Sequence, residues 1–121
     1  MKILIAEDEL LMAKTLEKKL LLDGHEVLIA NDGRTALTLY ETENPDLIIT
    51  DIMMPYTSGL ELVGIVKANL NKKTPIIVLS GMGEENIVLQ AFEMGADDFL
   101  TKPFKPSELS LRVKRLEMKL R

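Results

Sequence analysis

Asp46-Leu47-Ile48-Ile49-Thr50-Asp51-Ile52-Met53-Met54-Pro55 is the stretch on which the fold turns. Leu47 to Thr50 read as a strand buried on both faces, the habit of a central strand in a parallel sheet. The strand runs into the carboxylate of Asp51, and Pro55 soon blocks its continuation. An acid so placed lies outside the carboxyl edge of the sheet, where open α/β folds keep their chemistry. Taken alone, Asp51 is more simply explained as a turn or helix-cap aspartate. What the rest of the chain sets beside it decides.

Before that stretch, Ile3-Leu4-Ile5-Ala6 is a short apolar strand ending in Glu7-Asp8-Glu9. A helix follows with Ala13, Leu16 and Leu20 at helical spacing, and Gly24 stops it. Val27 to Ala30 form a second strand. Asn31-Asp32-Gly33 then turns the chain and offers an N-cap to a helix containing Ala36, Leu37 and Tyr40. After the stretch, Thr57-Ser58-Gly59 starts a third helix with Leu62, Val63 and Val66 as its buried stripe. Pro75 introduces the strand Ile76 to Leu79, which ends at Ser80-Gly81-Met82-Gly83. Glu84 and Glu85 suit the positive end of a fourth helix, closed by Gly95-Ala96. Phe99-Leu100 is a very short fifth strand before Thr101-Lys102-Pro103-Phe104. The last helix begins near Pro106, with Leu109, Val113, Leu116 and Leu120 on one face, and runs to the chain end.

Five strands alternating with five helices give a parallel sheet covered on both faces. Right-handed crossovers leave few topologies, and the flavodoxin-like (βα)5 strand order 2-1-3-4-5 is the leading one. At 121 residues, the whole chain, 1–121, is expected to be one domain. Its 46% hydrophobic and 28% charged residues are globular composition, and a net charge of -4 argues against direct nucleic-acid contact. The absence of cysteine excludes disulfides, thiol nucleophiles and cysteine zinc sites, and is compatible with a cytoplasmic location. Glu7 to Glu9 interrupt the first apolar run too early for a signal peptide, and no stretch approaches the roughly 20 apolar residues that cross a bilayer. His25, the only histidine, begins the second strand far from Asp51 and reads as an ordinary surface residue; Met12, Met94 and Met118 read as filler.

Four strand ends carry polar groups: Glu7 and Asp8, Asp51, Ser80, and Lys102. Each has a dull explanation alone, yet the topology gathers them on one edge. Two carboxylates about 5 Å apart repel by roughly 3 kcal/mol at an effective dielectric near 20. Three therefore need compensating cations. Lys102 supplies one charge, and Mg²⁺ suits the remainder, because it binds through a few carboxylates while keeping water and substrate oxygens. Such a site is equipped for phosphoryl transfer, with Asp51 as the nucleophile that forms an acyl phosphate.

The ordered set Ile3 to Glu9, Asp51-Ile52-Met53-Met54-Pro55 with Gly59, Leu79-Ser80-Gly81, and Gly95 to Phe104 resembles a response-regulator receiver domain along nearly the whole chain. The resemblance implies that Asp51 accepts a phosphoryl group from a sensor histidine kinase or histidine phosphotransfer protein. Glu7, Asp8 and Asp51 would hold Mg²⁺, with the backbone carbonyl of Met53 as a further ligand. Lys102 would pair with a phosphoryl oxygen, and the Lys102-Pro103 peptide would be cis. Ser80 would hydrogen-bond the phosphoryl group, Phe99 would rotate inward behind it, and Gly81 and Gly83 would keep the loop mobile. The fourth helix, fifth strand and fifth helix would present the output face to an output domain or partner protein.

Glu7 stands where the family more often has Asp. Met53 and Met82 occupy variable positions that in the family influence hydrolysis of the acyl phosphate, so slow self-dephosphorylation is expected. Asp97, Asp98, Glu108 and Arg112 resemble the charged set by which some receivers form homodimers, although Gln90 replaces the basic partner expected for Glu108.

Competing readings have less support. An aspartyl phosphatase of the haloacid-dehalogenase type needs a second Asp where Met53 stands, so no separate substrate turnover is expected. Gly81-Met82-Gly83 lacks the third glycine of a dinucleotide fingerprint and follows the wrong strand. A receiver that no longer takes phosphate is the remaining alternative, but its key positions would not need to be filled as they are here.

Overall fold

Residues 1–54 and 56–120 are described in a computed structural model of the chain. Pro55 lies outside them, and with it the expectation that this proline ends the third strand. Strands β1 (Lys2–Ala6), β2 (Glu26–Ala30), β3 (Leu47–Asp51), β4 (Ile76–Ser80) and β5 (Asp98–Thr101) alternate with helices α1 (Leu10–Leu22), α2 (Gly33–Glu43), α3 (Gly59–Ala68), α4 (Glu85–Glu93) and α5 (Pro106–Lys119). The strands form one sheet in the order β2-β1-β3-β4-β5, every pairing parallel. This is the flavodoxin-like arrangement expected from the sequence.

Every residue of β3 and β4 is buried, which is why both read as unbroken apolar runs. Their side chains alternate between two cores. Leu4, Ile48, Ile76 and Val78 face α2, α3 and α4, meeting Tyr40, Leu62, Val63, Val66 and Ala91. Ile3, Ile5, Ile49, Ile77 and Leu79 face α1 and α5, meeting Leu16, Leu20, Leu109, Val113 and Leu116. Burying each large aliphatic side chain contributes about 1.5–3 kcal/mol, so the sheet centre fixes the register of everything at its edge.

The caps act locally. Asp32 Oδ1 accepts from the Thr35 N–H at 2.8 Å and starts α2, and Ser58 Oγ accepts from the Glu61 N–H at 3.2 Å and starts α3. Gly24, at φ +93°, follows the last turn of α1 in the left-handed conformation that a side chain would resist.

Some details differ from expectation. β5 is longer by one residue at each end, because Asp98 pairs with Ile77 and Thr101 with Ser80. Leu120 leaves the buried stripe: it is the C-cap of α5 and stands 56% exposed. His25 precedes β2, is half-buried, and burial pushes its imidazole below the usual value. Among the described residues no helix is long and apolar enough to cross a membrane.

Candidate functional site at the carboxyl edge

The parallel order brings the ends of β1, β3, β4 and β5 to one edge. Glu7 follows β1 directly, and its N–H donates to the Ala30 carbonyl at 3.0 Å, so the side chain starts from a fixed backbone. That side chain is fully buried, Asp8 beside it is exposed, and Asp51, the last residue of β3, is 8% exposed. One carboxylate oxygen from each of the three lies within 4.8 Å of the other two.

Lys102 reaches this cluster from the end of β5. Its N–H donates to the Ser80 carbonyl at 2.7 Å, and the Lys102–Pro103 peptide is cis. Its Nζ donates to Asp51 Oδ2 at 2.9 Å and to Glu7 Oε1 and Oε2 at 3.1 and 3.2 Å. One ammonium therefore bridges two carboxylates. Burial pushes the Glu7 carboxyl up to about 7; the Asp51 charge adds to this and Lys102 opposes it. Burial alone would lower the Lys102 ammonium, but its hydrogen bonds and charge pairing with Asp51, then Glu7, outweigh that and raise it.

The Met53 N–H donates to Asp51 Oδ1 at 3.2 Å, which ties the following loop to the carboxylate. Ser80, the last residue of β4, is buried and faces Thr101 of β5 in register. Phe99 is 37% exposed and stands edge-on to Phe92, ring centroids 5.6 Å apart. A cavity of about 270 Å³ opens between Ser80, Val88, Leu89, Phe92, Phe99 and Thr101. The Gly81 N–H is held by the Glu84 carboxylate, so this part of the loop has an anchor that the glycine-rich sequence did not suggest.

The charged set Asp97, Asp98, Glu108 and Arg112 is not assembled as one free surface. Asp97 Oδ2 accepts from Lys67 Nζ at 2.7 Å and from the Ile76 N–H at 2.8 Å. Asp98 is buried, and its carboxylate accepts from Arg112 at 2.7 Å and Arg115 at 3.4 Å. Glu108 Oε1 lies 3.5 Å from the Lys105 N–H, at the start of α5. Asp98 and Arg112 are thus already paired with each other within the chain. Arg115 was missed by sequence reasoning; its only signal is the i, i+3 spacing that puts it on the Arg112 face of α5. Lys67 had none, and Glu84 stood out only as a carboxylate at the start of α4.

The family model described as "Response regulator receiver domain" matches residues 3–114. The phosphate regulon transcriptional regulatory protein PhoB of Pseudomonas aeruginosa is 42% identical over 113 residues, which cover 93% of this chain and 49% of that protein. The alkaline phosphatase synthesis transcriptional regulatory protein PhoP of Bacillus subtilis is 39% identical over 115 residues, 95% of this chain and 48% of that protein. The chain thus spans about half the length of the curated relatives it matches. Among solved structures, the receiver domain of the Francisella response regulator 1452 superposes with a TM-score of 0.91 at 37% identity, covering 99% of this chain and 98% of that one.

Proposed function

The chain belongs to the response-regulator receiver domain family, and from that premise we propose that it is a phosphorylation-controlled switch with Asp51 as phosphoryl acceptor. The observation that carries the reading is Lys102 Nζ shared between Asp51 and Glu7, at the one edge where Asp8 adds a third carboxylate. The donor sits on a phosphohistidine of a sensor kinase or phosphotransfer protein. An Asp51 oxygen forms the new P–O bond, the P–N bond breaks, and the imidazole leaves with the bonding electron pair and takes up a proton.

Mg²⁺ fits the site, because it would meet three clustered carboxylates, all hard oxygen donors, from Glu7, Asp8 and Asp51. The Met53 carbonyl would supply a further oxygen. When bound, the ion would neutralise charge on the transferring phosphoryl oxygens. Lys102 would turn from Glu7 to a phosphoryl oxygen, and Ser80 would donate its hydroxyl to another. Moving Ser80 requires its loop to shift, and the cavity behind it has the place and apolar lining to take the Phe99 ring. The α4-β5-α5 face would change shape in consequence, and an output domain or partner protein would read it in the cytoplasm.

The test is incubation with acetyl phosphate and Mg²⁺, followed by intact-mass measurement. One added phosphoryl group in wild type is expected, absent with EDTA and absent in Asp51→Ala. Phosphorylation of Asp51→Ala, or a wild type that neither gains mass with acetyl phosphate nor shows a Mg²⁺-dependent change with beryllofluoride, would overturn the reading.

Met53 and Met82 bear on how long the phosphoryl group stays. These residues are 52% and 85% exposed, so both can be replaced without disturbing a core. Neither thioether can orient an attacking water. Replacing both with Asn is expected to shorten the aspartyl-phosphate half-life by about tenfold or more, a modest share of what positioned polar groups contribute to proton transfer. Decay of the phosphoryl mass increment measures this, and an unchanged half-life would remove the methionines from the account.

A further inference from the structure

The loop between β3 and α3 is held from two sides. At its base the Ile52 N–H donates to the Leu79 carbonyl at 2.9 Å and the Gly59 N–H to the Ile52 carbonyl at 3.0 Å. The Met53 N–H adds the bond to Asp51. On the far side, the first turn of α2 lies against it. Gly33 meets the loop backbone so closely that a Cβ there would run into the Thr57 carbonyl. Next to it, the Arg34 guanidinium carbon stands 4.4 Å from the centre of the Tyr56 ring.

Tyr56 itself has φ +66°. A bulky residue adopts that left-handed conformation only where its surroundings hold it, and such strain gathers at functional sites. The residue is 71% exposed, so burial does not hold it. The guanidinium over its face is the attraction on hand.

We propose that Arg34 is a positioning residue for the metal site: stacked on Tyr56, it clamps the loop that carries Met53 and so sets where the Met53 carbonyl stands relative to the three carboxylates. This rests on the switch reading above. The clamp is outside the carboxylate cluster, and neither Arg34 nor Tyr56 has a part in holding the phosphoryl group.

The experiment measures Mg²⁺ dissociation constants of the full chain by titration calorimetry, with Mg²⁺ alone as the probe. Arg34→Ala and Tyr56→Leu should each weaken binding by about two- to fivefold, the scale of an exposed cation–π contact. Tyr56→Phe keeps the ring and should bind as wild type does. The double variant Arg34→Ala/Tyr56→Leu should be no weaker than either single one, because both remove the same contact. In the metal-free protein, the Met53 amide resonance should move in Arg34→Ala and Tyr56→Leu but not in Tyr56→Phe.

Unchanged affinities and an unmoved Met53 resonance would overturn the clamp, as would losses that simply add in the double variant. A wild type that binds no Mg²⁺ would instead overturn the switch reading. The resonance shifts would then still report whether Arg34 holds the loop.

Discussion

Lys102→Met is expected to slow phosphorylation of Asp51 by acetyl phosphate by about 10- to 100-fold, while Mg²⁺ binds more tightly than in wild type. The two effects have opposite signs because Lys102 holds two places in turn. In the resting site its ammonium stands between Asp51 and Glu7, at 2.9 and 3.1 Å, where a metal cation would also be drawn. A unit charge about 5 Å from a dication is opposed by roughly 7 kcal/mol at an effective dielectric near 20. The ammonium is part-exposed and swings away from most of that, so about tenfold tighter binding is the expected remainder. During transfer the same ammonium would donate to a phosphoryl oxygen. A hydrogen bond to a charged group is worth about 1.5–3 kcal/mol, which sets the range for the slower reaction. Calorimetry gives the first quantity and a time course of intact mass the second. Weaker Mg²⁺ binding in Lys102→Met would contradict the competition, and an unchanged rate would remove Lys102 from phosphoryl recognition.

The acids and Lys102 were legible together because topology alone converts sequence order into neighbours. Leu47 to Thr50 and Ile76 to Leu79 mark central strands, right-handed crossovers leave few orders, and in a parallel sheet the carboxyl ends of the strands all lie on one edge. Nothing finer than the strand was needed. The pairs that escaped sequence reasoning are of another kind. Lys67 with Asp97, Arg115 with Asp98, Glu84 with the Gly81 N–H, and Arg34 with Tyr56 all depend on side-chain reach between elements or within a loop. Neither periodicity nor a strand end announces such a contact. Asp97 and Asp98 show the consequence: adjacent in sequence and alike in charge, one stays exposed beside Lys67 while the other is buried against Arg112 and Arg115. The short β5 was under-read for a related reason, since Asp98 is a strand residue by pairing and not by composition.

With metal removed by EDTA, the protein is expected to lose stability as pH rises from about 4.5 to 7, and Glu7→Gln is expected to abolish most of that loss. The Glu7 carboxyl is pushed from 4.5 to about 7, first by burial and then by the charge of Asp51. The folded state therefore keeps a proton that the unfolded chain has already released across this window. Folding is favoured fully below the unfolded value, and the advantage disappears as pH climbs through the folded one. A tenfold change in proton affinity corresponds to about 1.4 kcal/mol, so the whole window accounts for roughly 3 kcal/mol. Lys102 limits the effect, because its charge already favours ionised Glu7, and the carboxyl stands at about 7 in spite of that opposition. Gln keeps the shape and cannot ionise, so urea unfolding of wild type and Glu7→Gln at matched pH reads the titration of Glu7 together with its charge coupling to Asp51 and Lys102. The wild type should fall relative to the variant between pH 4.5 and 7, and saturating Mg²⁺ should restore it by favouring the ionised carboxyl. A flat difference between the two proteins would mean that Lys102 neutralises Glu7 completely and that its burial costs the resting fold nothing.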